Sequence, residues 1–131
     1  MILILALCVD EKLGLQFNRR RQSRDSAVIA DVLASAERVW IHPFSAKLFA
    51  GGAVTVDENY LELARNGEIC FAEDTGYLNH KDKIEKIILY RWNRVYPRDL
   101  TFAFPGQWRL AESRDFSGSS HEKITREVYI Q

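Results

Sequence analysis

The side chains able to carry chemistry in this chain are few and scattered. His42, His80 and His121 stand far apart, without the H-x-H or H-x-x-x-H spacing that puts two imidazoles on one metal, and Cys8 and Cys70 form no C-x-x-C pair. A zinc or two-metal hydrolase is therefore not expected, and no metal is assigned. A metal-free ribonuclease needs two imidazoles and a lysine, for which His42, His121 and Lys47 are the available set; at these separations they read as surface polar residues. Gly118-Ser119-Ser120-His121 lacks the G-x-S-x-G order of a nucleophile elbow and reads as a hairpin turn or irregular bend. The run Arg91-Trp92-Asn93-Arg94-Val95-Tyr96-Pro97-Arg98 interleaves cations with aromatics, as surfaces that bind single strands do. Lys and Arg total 18 and Asp and Glu total 18, so the chain has no net basic charge and nucleic acid is not the expected partner. At strand spacing, Trp40, Trp92, Tyr96, Phe102, Phe104 and Trp108 read as core.

The most informative stretch is Ile69-Cys70-Phe71-Ala72-Glu73-Asp74, a buried-type strand running straight into two carboxylates. Strand-to-helix turns that hold phosphate use glycine, so that backbone N–H groups can approach the anion at a helix N-terminus. Acids at such a turn put negative charge where a pyrophosphate would lie, which argues against a nucleotide cofactor. The charge is uneven elsewhere too. Arg19, Arg20, Arg21 and Arg24 form a basic block without an acid, while Asp57, Glu58, Glu62, Glu68, Glu73 and Asp74 face Arg65 alone across residues 53–75. Blocks of this kind form solvated faces or charged contact surfaces.

These residues are carried on a readable series of elements. Residues 2–9 are a continuous apolar run, the pattern of a strand covered on both faces. Ser23 or Asp25 caps a helix through Val28, Ile29, Val32 and Leu33 that ends near Ala36. Residues 38–41 form a second strand, stopped by Pro43. A helical turn over Ser45 to Phe49 precedes a flexible Gly51-Gly52 pair. Residues 54–56 form a third strand, Asp57 caps a helix that Asn66-Gly67 ends, and residues 69–72 form a fourth strand. A short helix follows near Tyr77-Leu78, then a strand over Lys86 to Trp92. Strands over Thr101–Phe104, Trp108–Glu112 and Ile124–Ile130 follow without helices between them, the last alternating as a half-exposed antiparallel strand. At 131 residues with 47% hydrophobic side chains the expectation is a single domain, 1–131. The N-terminal run lacks a basic start and a small-residue cleavage site, and no stretch approaches a bilayer span, so a cytoplasmic protein with reduced, packed thiols is expected.

The order and spacing of these elements resemble dihydrofolate reductase. The residues that carry the likeness are Leu3-Ile4-Leu5-Ala6-Leu7-Cys8-Val9-Asp10 with Leu13-Gly14, the stretch from Gly67 to Trp92, and the tail from Trp108-Arg109-Leu110 through Glu127-Val128-Tyr129. The resemblance implies an α/β, dihydrofolate reductase-like three-layer fold with a mostly parallel central sheet and an antiparallel C-terminal hairpin. It also implies a pterin-binding carboxylate at Asp25 and a hydroxyl partner for the pterin at Tyr90. Beside the arginines that precede it, Asp25 reads instead as an ionised helix cap. His42-Pro43-Phe44-Ser45 stands where the family's Gly-Arg-x-Thr grips cofactor phosphate, and Glu73-Asp74 replace its paired glycines. With these motifs gone, no catalytic residue and no cofactor is expected, and a divergent NADPH-dependent reductase is the alternative.

A second, weaker resemblance is to immunity proteins of bacterial contact-dependent growth inhibition, carried by Arg19-Arg20-Arg21-Gln22-Ser23, Ser45-Ala46-Lys47, Trp92 to Pro97 and Gly118 to Thr125. It implies a toxin inhibitor whose partner is a cognate protein toxin, a ribonuclease. Asp57, Glu58, Glu62, Glu73 and Asp74 are then the expected partner-binding residues, matching the cationic cleft of a nuclease.

Overall fold

A computed structural model describes residues 3–50 and 52–131, so residue 2 of the first apolar run and Gly51 of the glycine pair lie outside the described residues. Along the chain come β1 (Leu3–Val9), the hairpin β2 (Gly14–Phe17) and β3 (Arg20–Arg21), helix α1 (Ser26–Ala34), β4 (Val39–Ile41), β5 (Thr55–Val56), the one-turn helix α2 (Tyr60–Leu63), β6 (Ile69–Phe71), β7 (Ile84–Arg91), β8 (Leu100–Thr101), β9 (Arg109–Phe116) and β10 (Ile124–Ile130). Seven strands make one sheet in the order β5-β4-β6-β1-β7-β10-β9. The first five run parallel, and β10 and β9 close the sheet as an antiparallel hairpin. β3, β2 and β8 form a small second sheet.

Side chains on a strand alternate between faces, and that alternation divides the interior into two cores. Leu3, Leu5, Leu7 and Val9 of β1 join Trp40, Cys70, Ile87 and Leu89 under α2 and the small sheet, which add Tyr60, Leu61 and Leu15, with Phe102 from just beyond β8. On the opposite face Ala6 joins Ile41, Phe71, Ile88 and Tyr90 beneath Val28 and Val32 of α1. β1 is apolar throughout because it lies mid-sheet, with Leu5 beside Cys70 on one flank and Ile87 on the other.

Several elements differ from expectation, each for a local reason. α2 spans only Tyr60–Leu63. Asp57 accepts from Asn59 N at 2.8 Å, and the Lys83 ammonium reaches the Leu61 and Glu62 carbonyls at 3.3 and 3.2 Å, closing the turn early. The turn after β4 is a 3-10 segment over Pro43–Ser45, capped by the His42 ring, which accepts from Phe44 N at 3.0 Å. The segment after β6 is likewise 3-10, over Gly76–Lys83, and is interrupted at His80. Of the strand expected over 101–104, only Leu100–Thr101 pairs. Phe102 and Phe104 leave the ladder to pack, Phe102 against Tyr77 with ring centroids 5.3 Å apart and Phe104 against Tyr129 at 4.8 Å. β10 is half-exposed as expected, with Ile124 and Val128 buried and the residues between and after them only partly covered. β9 extends to Phe116, longer than its hydrophobicity suggested, because it is an exposed, charged edge strand.

One buried acid holds the loops at the C-terminal end of β1. Asp10 is fully buried and accepts from the N–H groups of Lys12 and Gly14 at 2.8 Å each. It also accepts from Tyr96 N and Gln22 Nε2 at 3.1 Å. Burial opposes its charge, but these donors outweigh burial and hold its carboxyl below the usual range. No helix among the described residues is long and apolar enough to cross a membrane. Replacing Asp10 with Ala strands these donors and is expected to cost about 3 kcal/mol, read as a lowered urea midpoint with an unchanged slope; an unshifted midpoint would show the loops are held by something else.

Candidate functional site: a cationic cleft beside a locked carboxylate

Ligands of open α/β sheets gather beyond the carboxyl ends of the parallel strands, and both charge blocks of the sequence converge there. Glu73 follows β6 and does not offer a free carboxylate. Arg21 of β3 grips it with two hydrogen bonds, Nε to Oε2 at 2.7 Å and Nη2 to Oε1 at 3.0 Å. The Ser45 hydroxyl donates to Oε1 at 2.7 Å, and Gln16 of β2 donates to the Glu73 carbonyl at 2.7 Å. The Glu73 side chain is only 9% exposed. A carboxylate taken this far out of water requires such a partner, and the planar guanidinium supplies one in fork geometry.

Asp25 caps α1, accepting from Ala27 N at 2.9 Å. It is also the anchor of the 118–121 turn, accepting from the backbone N–H groups of Ser119 and Ser120 at 2.8 Å each and from the Ser119 hydroxyl at 2.9 Å. Burial again opposes the charge, and these donors with His121 overcome it, holding the carboxyl far below its ordinary range. Gly118 is needed for the close approach: a Cβ there would meet Asp25 Oδ2 at 2.4 Å and the His121 carbonyl at 2.7 Å.

His121, expected at the surface, is 5% exposed and stacks on Trp92 with ring centroids 4.7 Å apart. Its Nδ1 lies 3.2 Å from Asp25 Oδ2, and its Nε2 faces the hydroxyls of Ser23 at 3.2 Å and Tyr96 at 3.0 Å. Nδ1 also lies 3.1 Å from the Ser120 hydroxyl, so both ring nitrogens have polar partners. A carboxylate, an imidazole and a serine in this order have the form of a nucleophilic relay. Two features of the geometry also suit it to a structural clamp. The Tyr96 phenol competes for the nitrogen that would take the serine proton, and Asp25 is already committed to the helix cap and the 119–120 turn.

Above this clamp lies an open cleft of about 800 Å³ whose lining contains no acidic side chain. Arg19, Arg20, Arg24, Lys47 and Arg94 line it, with Phe44 at its side. None of these five cations has an ion-pair partner among the described residues. Of the set weighed as a ribonuclease, the cleft unites His121 and Lys47 but leaves out His42, whose ring caps the 3-10 turn. Of the Arg91–Arg98 run it takes Arg94 and Tyr96, while Arg91 pairs with Glu127 and Trp92 is buried.

The acids expected to bind a partner are divided. Glu58, Glu62 and Asp74 are exposed and Asp57 is half-buried, all around the carboxyl ends of β5 and β6 and on α2. Asp57 and Asp74 also close their own turns, Asp74 accepting from Gly76 N at 2.9 Å. Glu73 is set apart from this group by Arg21. Tyr90 does not face a ligand site, because its buried hydroxyl donates to Asp31 of α1 at 2.6 Å. Both cysteines are free; burial, followed by the nearby Glu68 carboxylate, pushes the Cys70 thiol up to about 12. Sequence reasoning missed Asp10 and the buried role of His121. A lone acid after an apolar strand and a His in a Gly-Ser turn carry no local signal of burial.

Among solved structures, the chain is similar to a dihydrofolate reductase from Enterococcus faecalis complexed with NADP(H) and RAB-propyl. The TM-score is 0.67 at 9% sequence identity, covering 98% of this chain and 95% of that one. The fold is that of dihydrofolate reductase. No protein-family model matches the chain, so none supports the likeness to immunity proteins, and no curated protein matches it. Within this reductase-like fold, Glu73-Asp74 and His42 to Ser45 both lie at the strand ends that border the cleft.

Two outcomes test this site. Asp25 has a folded value below its unfolded value of about 4. Its contribution is complete above about pH 4 and is lost as pH falls from there toward the depressed native value. Urea titrations at neutral and acid pH should therefore show Asp25→Asn less stable at neutral pH but less sensitive to acid than the parent; parallel pH profiles would remove Asp25 from this role. Arg21→Ala leaves Glu73 unpaired and is expected to cost about 3 kcal/mol, much of it recovered by adding Glu73→Leu. Equal stability of the single and double variants would mean the pair is not what holds the hairpin.

Proposed function

We propose that this chain is a non-catalytic binding protein on a dihydrofolate reductase-like scaffold, and that it neutralises a cognate protein toxin as an immunity protein of contact-dependent growth inhibition. The observation that carries the non-catalytic part is the Arg21–Glu73–Ser45 lock. An arginine fork and a hydroxyl are the donors a bound phosphate would need, and here the protein's own carboxylate takes both. Phosphate brought to this turn would have to displace an ion pair already formed and largely desolvated.

The toxin-binding part rests on the sequence likeness and on the exposed acids Glu58, Glu62 and Asp74 with the half-buried Asp57. A nuclease presents cations for phosphate, and an acidic surface complements them and speeds encounter. Glu73 has no part in that surface. A divergent NADPH-dependent reductase remains the competing reading, favoured by the fold alone.

Fluorescence titration with NADPH and with dihydrofolate separates the two: the binding reading expects no saturable response and no turnover, and tight binding of both ligands would overturn it. The partner is sought in the product of an adjacent toxin-like open reading frame. Lysine at Glu58 and Glu62 should slow association with it about tenfold at low salt, and this loss should shrink as salt is added. Unchanged association rates would place the contact elsewhere on the molecule.

A further inference from the structure

The cleft carries a second reading that does not depend on the toxin. We infer that the cleft lined by Arg19, Arg20, Arg24, Lys47 and Arg94 is a binding site for single-stranded nucleic acid, with phosphodiesters on the cations and a base on Phe44. Two independent observations meet here.

The first is charge. The whole chain is neutral, yet five cations without ion-pair partners among the described residues gather in one concave site that no described acid lines. Other basic side chains, among them Arg65, Arg98 and Arg109, also lack an ion-pair partner among the described residues, but none of them lines the cleft, and Arg21, which does, is taken by Glu73. What is particular to the cleft is the concentration of unpaired cations, which places the mutual repulsion of five like charges where a polyanion would relieve it.

The second is backbone strain. β2 and β3 are joined by a two-residue turn at Asn18 and Arg19, with φ of 51° and 61°, closed by the Phe17–Arg20 pair. This is the hairpin turn that most favours Asn-Gly, and here arginine occupies the second, left-handed position. A residue with a Cβ costs about 1 kcal/mol or more in that conformation relative to glycine, so the turn bears a strain that glycine would remove. The turn aims consecutive arginines, Arg19 and Arg20, at the cleft.

The ligand class follows from what accompanies the cations. Phe44 is 43% exposed, and the Arg21 guanidinium lies 5.2 Å from its ring centroid, fixing one face. An exposed aromatic among unpaired arginines is the combination by which single strands are held, charge tracking the backbone and a ring stacking a base. The opening of about 800 Å³ is a site for a short segment of strand.

Anisotropy titrations of short fluorescein-labelled oligouridylate and oligothymidylate test the inference, with polyphosphate as competitor and both oligonucleotides measured across a salt series. Saturable binding is expected, with log K falling against log salt by about 0.7 for each phosphate engaged. The two oligonucleotides show whether the 2′-hydroxyl matters. Arg19→Gly is the decisive variant, since relief of the turn should raise Tm while affinity falls several-fold. Arg24→Ala and Arg94→Ala should each weaken binding and flatten the salt slope by about 0.7. Phe44→Ala should weaken binding and leave the slope unchanged. Absence of saturable binding at low salt overturns the inference, as does full affinity in Arg19→Gly. Equal competition by polyphosphate together with no effect of Phe44→Ala would overturn the nucleic-acid assignment. None of these outcomes bears on the toxin reading, whose variants lie on the acidic side.

Discussion

The Glu73 carboxylate sits at the end of a central strand with little access to water, and much of the surrounding architecture answers its need for a counter-charge. An ion in that position is tolerable only if it is paired and its remaining lone pairs are filled. Arg21 and Ser45 meet that requirement, one from the β2–β3 hairpin and the other from the turn after β4. The pair therefore ties a separate small sheet to the carboxyl edge of the main one. Once Arg21 is fixed, its neighbours Arg19, Arg20 and Arg24 have few places to go, and they fall along the cleft. A partly buried acid has in this way organised an exposed basic surface.

The same edge is divided by charge. Exposed acids lie around β5, α2 and the end of β6, and unpaired cations lie over the ends of β1, β4 and β7. Glu73 and Arg21 stand at the seam, where opposite charges are close enough to pair in a poorly solvated setting. Away from the seam, water and salt screen the two fields from each other. A chain whose formal charge is zero thus carries two surfaces of opposite sign.

Asp25 and His121 have the layout of a catalytic relay and also tie three segments together. The helix cap at α1, the 118–121 turn and the loop carrying Tyr96 share one buried hydrogen-bond network. Each polar group in it is satisfied by the others, which is the condition for burying any of them. The network forms the floor of the cleft and holds its walls in register.

The order of strands and helices was legible because burial leaves periodic marks. β1 is apolar throughout since it is covered twice, and the break in rhythm after Trp92 announced the antiparallel close. Asp25 as a cap was legible too, because capping depends on residues nearby in sequence. Element lengths were less so: β9 is an edge strand with no apolar stripe to read, and α2 is cut short by Lys83, a residue from a distant segment. What escaped the sequence were the pairings across the fold. Arg21 and Glu73 lie 52 residues apart, Asp25 and His121 lie 96 apart, and no local pattern records that they meet. The linear chain by itself determined the α/β order, the capped first helix and the two blocks of opposite charge. Only the tertiary structure decided which charges are cancelled and which stay exposed, because neutralisation depends on distance and solvent exposure, and neither exists until the strands are in place.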